Sequence, residues 1–288
     1  MSKKQKLATL AVAGIAGAGA LAATIGSIAY FTNTKETTNT FTIGNVTIDL
    51  KEQQRKVVNG VKTTELENFV DGQVLYPIVG SAQGAKDALG MPTTAAAQNY
   101  VDKMVSIENT AAGDAWVRTY IAIRSELDDG YDSFNASQNG LHFNMGTNAD
   151  GSATAQATWD WKHDGDNDGV EDEWNYYETT IDGKHYNVYY ADYMTTLDAG
   201  ETTTRVMNGL YLDKSVTVGE NGNLWAPVSL TDPSSTLVDL GISATESIKM
   251  PVFAVAIQSS GFDNAEQAVN ASFGEQYNPW GGTVSNWQ

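Results

Sequence analysis

The sequence predicts an all-β protein, built as an antiparallel two-sheet sandwich with inserted loops. Apolar segments recur roughly every 10–20 residues along the chain, and helical patterns do not alternate with them. The chain has 27 glycines and only 6 prolines. Its Gly, Asn and Asp residues cluster between the apolar segments, as is typical of strands joined by polar turns. Neither an internal repeat nor a boundary divides residues 42–288, which predicts one sandwich domain there.

The N-terminus is typical of a cleaved signal peptide. Three lysines stand among the first six residues, and residues 7–28 are uncharged, apolar and rich in Ala and Gly. Ser27 and Ala29 place small residues at the −3 and −1 positions of a cut between Ala29 and Tyr30. The sequence therefore predicts that residues 1–29 are removed on export. The alternative is an uncleaved N-terminal anchor, because the apolar run approaches the length of a membrane span.

Charge and cysteine content exclude some partners and some sources of stability. The chain carries a formal net charge of −18 and contains no cysteine. Loss of the lysine-bearing signal would make the mature protein three units more negative. A protein this acidic does not bind nucleic acid by general attraction, so we expect no nucleic-acid partner. An exported chain without cysteine has no disulfide framework, so a core, metal ions or assembly must stabilise it.

Residues 30–41 are predicted to form an extended N-terminal arm. The segment is polar and poor in helix formers. Its aromatic residues stand at its two ends, with Tyr30 and Phe31 at the start, followed by Thr32, and Phe41 at the end.

Apolar periodicity and turn residues predict the elements that follow the arm. Residues 41–50 alternate as a half-buried strand, and the alternation changes phase at 44–45, which indicates a β-bulge. Asn59-Gly60 lies in a polar stretch and predicts an edge hairpin or an exposed loop. A short helix is predicted over residues 95–100, within an Ala-rich insertion.

The clearest strands are predicted at residues 103–108 and 115–124. In the second strand both alternating sets of side chains include bulky residues, such as Ile121 on one side and Tyr120 on the other. This pattern predicts a central strand that is covered on both faces.

Two further strands and a helix are predicted towards the C-terminus. Residues 185–194 are strand-like and rich in tyrosine, and residues 250–257 form an apolar run typical of a buried strand. Asp263, followed three residues later by Glu266, matches a capping box and predicts a short helix that ends at Gly274.

The most specific local motif is the acidic stretch that begins at Asp164. Its carboxylates alternate and a glycine takes the sixth position, as in calcium loops of the D-x-D-x-D-G type. The twelfth position holds Asn175 instead of a bidentate glutamate, and Glu173 or Glu178 would have to substitute for it. The alternative is a solvated acidic loop. The motif predicts a structural calcium ion held by the carboxylates of Asp164, Asp166, Asp168 and Asp172.

Several segments together resemble the TasA/camelysin family of exported bacterial proteins. The resemblance is most specific in the head, where residues 29–37, 39–44 and 48–50 read AYFTNTKET, NTFTIG and IDL. The insertions between the matched segments have no counterpart. Weaker similarity is spread along the chain, at residues 105–110, 114–118, 197–204, 253–258 and 261–266.

The resemblance implies a jelly-roll-like sandwich that is secreted to the cell surface or extracellular matrix after cleavage by a SipW-type signal peptidase. Subunits of that family assemble into biofilm-matrix fibres, and related archaeal pilus subunits share the fold. In such filaments the arm of one subunit adds a strand to the next. Here the implied donor strand lies within residues 30–41, with Tyr30, Phe31, Thr32 and Phe41 as its contacts. The implied partners are further copies in a head-to-tail polymer and a minor subunit that anchors or initiates the fibre.

The sequence carries no motif of a known catalytic site, so we expect a protein that is not an enzyme. Camelysin-like proteins have been classed as metallopeptidases, but His142, His163 and His185 form neither H-E-x-x-H nor a pair at helical ligand spacing. The G-x-S-x-G motif and a catalytic cysteine are also absent. A surface hydrolase remains the third hypothesis, because paired catalytic carboxylates leave no sequence signature.

The two leading hypotheses differ in what the arm does. The first is a secreted structural subunit that forms fibres by donating its N-terminal strand. The second is a monomeric, calcium-stabilised adhesion or binding domain at the cell surface. A donated strand predicts that a chain without its arm still folds but does not polymerise.

Overall fold

The computed structural model describes residues 29–32, 42–43, 46–128, 140–145, 158–164, 169–171, 173–229, 232 and 235–287, with the backbone alone described in the first two ranges. The first nine strands are β1 (Ala29–Thr32), β2 (Thr42–Ile43), β3 (Ile48–Val58), β4 (Val61–Asn68), β5 (Gln73–Leu75), β6 (Val79–Gly80), β7 (Ala97–Gln98), β8 (Val101–Asn109) and β9 (Ala115–Arg124). A 3-10 turn, Ser125–Leu127, follows β9.

The remaining strands and the helix complete the described chain. They are β10 (Leu141–Met145), β11 (Trp159–Asp160), β12 (Lys162–His163), β13 (Glu173–Trp174), β14 (Tyr176–Ile181), β15 (Lys184–Tyr193), β16 (Met207–Leu212), β17 (Thr217–Val218), β18 (Asn223–Pro227), β19 (Leu237–Ser243), β20 (Ser247–Lys249), β21 (Val252–Gln258) and helix α1 (Ala265–Phe273).

Two large sheets and four smaller ones make up the described structure, which confirms the predicted all-β class. One sheet has five antiparallel strands in the order β10-β16-β8-β3-β4. The other has the order β11-β15-β9-β21-β2, and β14 pairs with another part of β15. The second sheet is antiparallel except for the parallel pair of β2 and β21. The main core includes buried residues from both sheets, such as Val105 on β8 and Val117 on β9.

Strand β9 is central and is buried on both faces, as predicted. It pairs with β15 on one side and with β21 on the other. Val117 and Ile121 belong to the main core, whereas Trp116 and Tyr120 belong to a second cluster on the outer face of the sheet. A strand that is covered on both sides needs apolar side chains at successive positions, and this accounts for its composition.

The outer face of the six-stranded sheet is covered by the C-terminal segment. The ring of Trp287 stacks on that of Tyr177, with centroids 4.8 Å apart and planes at 13°. Trp280 meets Tyr120 edge-on, with the centroids 6.4 Å apart. Helix α1 adds Val269, which is fully buried in the same cluster. These contacts give the sheet a second apolar layer beside the main core.

The predicted edge hairpin at Asn59-Gly60 is confirmed. Asn59 and Gly60 both have positive φ, 53° and 78°, which matches the tight turn that joins twisted antiparallel strands. The hairpin consists of β3 and β4, and β4 is the last strand of the five-stranded sheet. Val57, Val58 and Val61 at its tip are about half exposed or more.

The predicted helix at residues 95–100 is wrong. Ala97–Gln98 is strand β7, which pairs with β6, and turns lead into it from Thr93. The Ala-rich stretch is too short to meet the cost of helix nucleation. Backbone bonds such as that from Ser81 N to Ala96 O, 2.8 Å, hold it in the extended pairing instead.

A buried ionic cluster fastens this insertion to the five-stranded sheet. Arg55 on β3 is 2 % exposed, and its Nε and Nη2 donate to the carboxylate of Asp102 at 2.7 Å each. Its Nη1 donates to Asp87 at 2.8 Å and to the carbonyl of Pro92 at 2.9 Å. Lys62 donates to Asp102 at 2.9 Å. Because the guanidinium is bonded to two carboxylates, its burial does not leave an uncompensated charge.

Helix α1 lies where it was predicted, but its N-cap is a different residue from the predicted one. The N-cap is Asn264 and not Asp263, because Asn264 Oδ1 accepts from the backbone N–H of Gln267 at 2.8 Å. Gln267 Oε1 in turn accepts from Asp263 N at 3.1 Å. The cap therefore lies one residue later than the sequence suggested, and the returning bond of Gln267 reaches the residue before the cap. Within the described part of the chain, no helix is long and apolar enough to cross a membrane.

We expect the Arg55 cluster to contribute strongly to stability. Arg55→Met should lower the free energy of unfolding by about 3–5 kcal/mol, because the buried carboxylate of Asp102 and the partly buried carboxylate of Asp87 both lose this partner. Lys56→Met is the matched control, since Lys56 pairs with Glu65 on the surface at 3.2 Å with half of its side chain exposed. It should cost at most about 1 kcal/mol. Urea unfolding of the three proteins measures both values, and equal losses would contradict the assignment.

The same cluster predicts a loss of stability in acid. Burial alone raises the pKa of Asp102, but the hydrogen bonds and charges of Arg55 and Lys62 outweigh burial and lower that pKa. A lowered pKa in the folded state adds stability above the unfolded value of about 3.9, and this is lost as pH falls through the folded value. Urea midpoints between about pH 5 and pH 2 should therefore fall more steeply for the wild type than for Asp102→Asn. Glu65→Gln should keep the wild-type slope.

Candidate functional site

Strand β1, the start of the predicted arm, lies between two strands of its own chain. It pairs in parallel with β20, with Tyr30 opposite Ser247 and Phe31 opposite Ile248. On its other side it pairs antiparallel with β5, with Tyr30 opposite Val74. The arm therefore starts as the middle strand of the three-stranded sheet β20-β1-β5, and we call the space between β5 and β20 the strand slot.

The strand slot is part of the main core. Leu75 on β5 and Ile248 on β20 are both fully buried members of the core cluster. Both strands are only three residues long, and β1 accepts and donates the backbone bonds between them. Without β1, each would present unpaired N–H and C=O groups beside an apolar core, which is a strong template for another strand.

Only part of the predicted donor segment falls in the described structure. The backbone of Tyr30, Phe31 and Thr32 belongs to β1, whereas Phe41 lies outside the described residues. The predicted cut between Ala29 and Tyr30 falls inside β1, one residue from its N-terminal end. Cleavage there would place the new α-amino group directly at the slot. It would leave Tyr30, Phe31 and Thr32 to fill the slot.

The acidic motif lies in the chain between the two strands of a short hairpin. Its base is the pairing of β12 with β13, where His163 lies opposite Glu173 and Lys162 opposite Trp174. Asp164 begins the loop, and its Oδ2 accepts from Gly169 N at 2.9 Å. Three of the four predicted calcium ligands lie outside the described residues: Asp166, Asp168 and Asp172. Among the described residues, no group of three His, Cys, Asp or Glu side chains is arranged to hold a metal ion, so calcium remains a prediction.

The two ends of this hairpin are tied together by Asn175, the twelfth residue of the motif. Its Oδ1 contacts His163 Nδ1 at 3.0 Å, and its Nδ2 donates to the carbonyl of Asp160 at 3.2 Å. Glu178 lies on β14, where its carboxylate accepts from Tyr176 and from Asn286. The amide at the twelfth position thus serves the hairpin base, and the histidine beside the loop is its partner.

Two cavities adjoin the hairpin, and sequence reasoning anticipated neither. The larger, of about 490 Å³, is lined by residues from five parts of the chain, including Arg118, Asp164 and Glu266. Arg118 donates from Nε and Nη2 to Asp192 at 2.6 Å each. Burial raises the pKa of Asp160 at its rim, and the charges of Glu171, Asp192 and Glu266 act in the same direction. These carboxylates are far apart in sequence, so no spacing rule could have grouped them.

The smaller cavity, of about 210 Å³, has three tryptophans among its lining residues. It is lined by Trp159, Asp160, Trp161, Lys162, Glu171, Trp174 and Met194. The rings of Trp161 and Trp174 meet across the hairpin base at 6.4 Å and 66°. The signal that could have found it is the W-x-W spacing before the acidic motif with a third tryptophan after it, a pattern that a hairpin folds onto one side.

The remaining histidines lie apart from one another and from His163. His142 on β10 stacks on Tyr211 at 4.8 Å, and its Nε2 lies 3.4 Å from Asp213. His185 on β15 contacts Thr180. Each has a local role in packing or pairing.

Comparison with known proteins identified no relative. No protein-family model, no curated protein and no solved structure matches this chain.

We expect calcium to stabilise the protein through the acidic loop. At a calcium concentration about a hundredfold above Kd, the midpoint of thermal unfolding should rise by about 5–10 °C. The double variant Asp166→Asn with Asp168→Asn should lose this rise, because two ligand charges are gone. Glu220→Gln, in an exposed turn elsewhere, should keep it. Calorimetry with and without a chelator tests the site, and a wild type indifferent to calcium would contradict it.

Proposed function

We propose that this protein is a secreted structural subunit that assembles into cell-surface or matrix fibres by donating strand β1 to the strand slot of a neighbouring copy. The observation that carries the proposal is the place of β1 between β5 and β20. Once the chain is cut before Tyr30, the terminal strand that remains between two short strands has three residues, and it can be withdrawn and replaced by the same strand from another copy. The backbone bonds formed are identical within a chain and between chains.

The geometry of the arm favours an open polymer. Each copy carries one strand to give at its N-terminus and one slot that can receive such a strand. Such a head-to-tail contact does not close on itself unless its rotation happens to form a ring, and otherwise builds a filament. Residues 33–41 link β1 to β2. Nine residues reach at most about 30 Å, which limits how far the donor can lie from its acceptor.

Charge and composition agree with non-covalent assembly outside the cell. The chain has no cysteine, so subunits cannot be joined by disulfides. Its net charge of −18 makes neighbouring copies repel each other, and salt or calcium would screen this repulsion. Export would involve a SipW-type signal peptidase cutting before Tyr30, and a minor subunit would anchor or start the fibre.

The alternative is a monomeric, calcium-stabilised adhesion or binding domain. The specific observation in its favour is that β1 fills the slot of its own chain. A strand held within its own chain has a high effective concentration at the slot. A strand from another copy must therefore compete with it to bind there. The proposals differ in whether β1 leaves the slot.

Electron microscopy of the mature protein gives the first test. Protein that starts at Tyr30 should form filaments, and protein that lacks residues 30–41 should remain folded but dispersed, because it cannot donate a strand. Circular dichroism shows whether the truncated protein is folded. Wild-type protein that remains monomeric at high concentration, with and without calcium, would favour the adhesion domain.

Cysteine cross-linking tests the donor directly, because the native chain contributes no thiol. Tyr30 and Val74 lie opposite each other on β1 and β5, a distance that a disulfide can span. When Tyr30→Cys protein is mixed with Val74→Cys protein and oxidised, covalent dimers of the two should form only if β1 enters a neighbour's slot. Val228→Cys, at an exposed site outside the slot, replaces Val74→Cys as the control. Equal cross-linking with both partners would argue against strand donation.

A further inference from the structure

The chain contains four asparagines that are followed directly by glycine, a chemically labile pair. Asparagine is among the thermolabile residues, and a following glycine has no side chain to hinder attack of its backbone nitrogen on the asparagine side chain. The pairs are Asn59-Gly60, Asn139-Gly140, Asn208-Gly209 and Asn221-Gly222. Asn139 lies outside the described residues, so the structure allows the other three pairs to be compared.

Hydrogen bonds hold both reacting groups of the pair formed by Asn221 and Gly222. Asn221 Nδ2 donates to Asp239 at 2.6 Å, and Asn221 Oδ1 accepts from Trp225 Nε1 at 3.0 Å. Gly222 N donates to the carbonyl of Gly219 at 3.0 Å. The pair is exposed, but the glycine nitrogen cannot reach the side chain of Asn221 until these bonds break.

Burial holds the pair formed by Asn208 and Gly209. Asn208 is 3 % exposed and lies on β16, which has β10 on one side and β8 on the other. A methyl group placed on Gly209 would lie 2.3 Å from the carbonyl oxygen of Val101 on β8. The backbone at this point therefore has no room to rotate unless β16 separates from the sheet.

Neither restraint applies to Asn59 and Gly60, which are both exposed at the tip of the β3–β4 hairpin. Among the described residues, neither the Asn59 amide nor the Gly60 N–H forms a hydrogen bond. The left-handed φ of Asn59, 53°, must change before the nitrogen can reach the side chain, so the tip has to open. Opening separates Val58 from Val61, which are already 45 % and 58 % exposed, so little burial is lost.

We propose that Asn59 is a site of spontaneous deamidation. Gly60 N loses its proton to water or hydroxide and attacks Cγ of Asn59, and the side-chain nitrogen leaves as ammonia. Water then opens the resulting succinimide ring at one of its two carbonyls, which gives aspartate or isoaspartate. Both products add one negative charge, and isoaspartate also lengthens the main chain of a two-residue turn that sets the pairing of β3 with β4. The reaction does not involve β1, so it is independent of fibre assembly.

Peptide mapping by mass spectrometry tests the site on the folded protein and on protein unfolded in urea, both incubated at mildly alkaline pH. The three pairs should convert at similar rates in the unfolded chain. In the folded protein Asn59 should convert at least about tenfold faster than Asn208 and Asn221, because hydrogen bonds or burial must first be lost at those sites. Equal rates in the folded protein would overturn the proposal. So would an Asn59 amide that persists in the folded protein while it is lost from the unfolded chain.

Two variants test the physical basis of the difference. Asn59→Gln keeps an amide at the tip, but its longer side chain would have to close a larger ring, so this position should stop converting. Asp239→Ala removes an acceptor of the Asn221 amide and should speed conversion at Asn221 about tenfold, with Asn59 unchanged. Circular dichroism checks the fold of both variants. An unchanged rate at Asn221 in Asp239→Ala would contradict its protection by hydrogen bonding.

Discussion

Backbone pairing along β9 is the constraint on which the rest of the structure depends. This strand pairs on both sides, and both of its faces are buried. Such a strand needs a covering layer on each face, because exposing either apolar face to water would cost free energy in proportion to its area. The five-stranded sheet supplies one layer, and helix α1 with the C-terminal aromatic residues supplies the other. The C-terminal segment is therefore part of the core and not an appendage.

The same requirement explains why the N-terminal strand matters. Strands β5 and β20 each contribute a fully buried core residue, yet they do not pair with each other. They depend on β1 for their backbone partners. A sandwich completed by its own strand β1 contains the same backbone bonds as one completed by β1 of another copy would contain. The acidic hairpin and its tryptophan cavity lie on the six-stranded sheet, through the pairing of β11 with β15.

Local patterns predicted the fold better than they predicted the sites. The sequence predicted the hairpin at Asn59-Gly60 and the burial of both faces of β9, because each is indicated by a pattern of neighbouring residues. The helix at 95–100 was wrong because pairing with the distant β6 decided that segment. The cap of α1 was misplaced by one residue because Asp263 and Asn264 are both good capping residues, and only the structure shows which side chain reaches Gln267. The ionic cluster of Arg55 joins residues up to 47 positions apart, so no local sequence pattern indicated it.

The sequence by itself determined the all-β class, the central strand, the C-terminal helix and the acidic motif, because each follows from periodicity or spacing within a few residues. It also suggested an arm that pairs as a strand. Tertiary structure alone decided which strands flank that arm, because β5 and β20 lie more than 170 residues apart in the chain. It likewise decided that Trp159, Trp161 and Trp174 share one cavity. Long-range contacts form when separate apolar surfaces are buried together, and no local pattern encodes which surfaces meet.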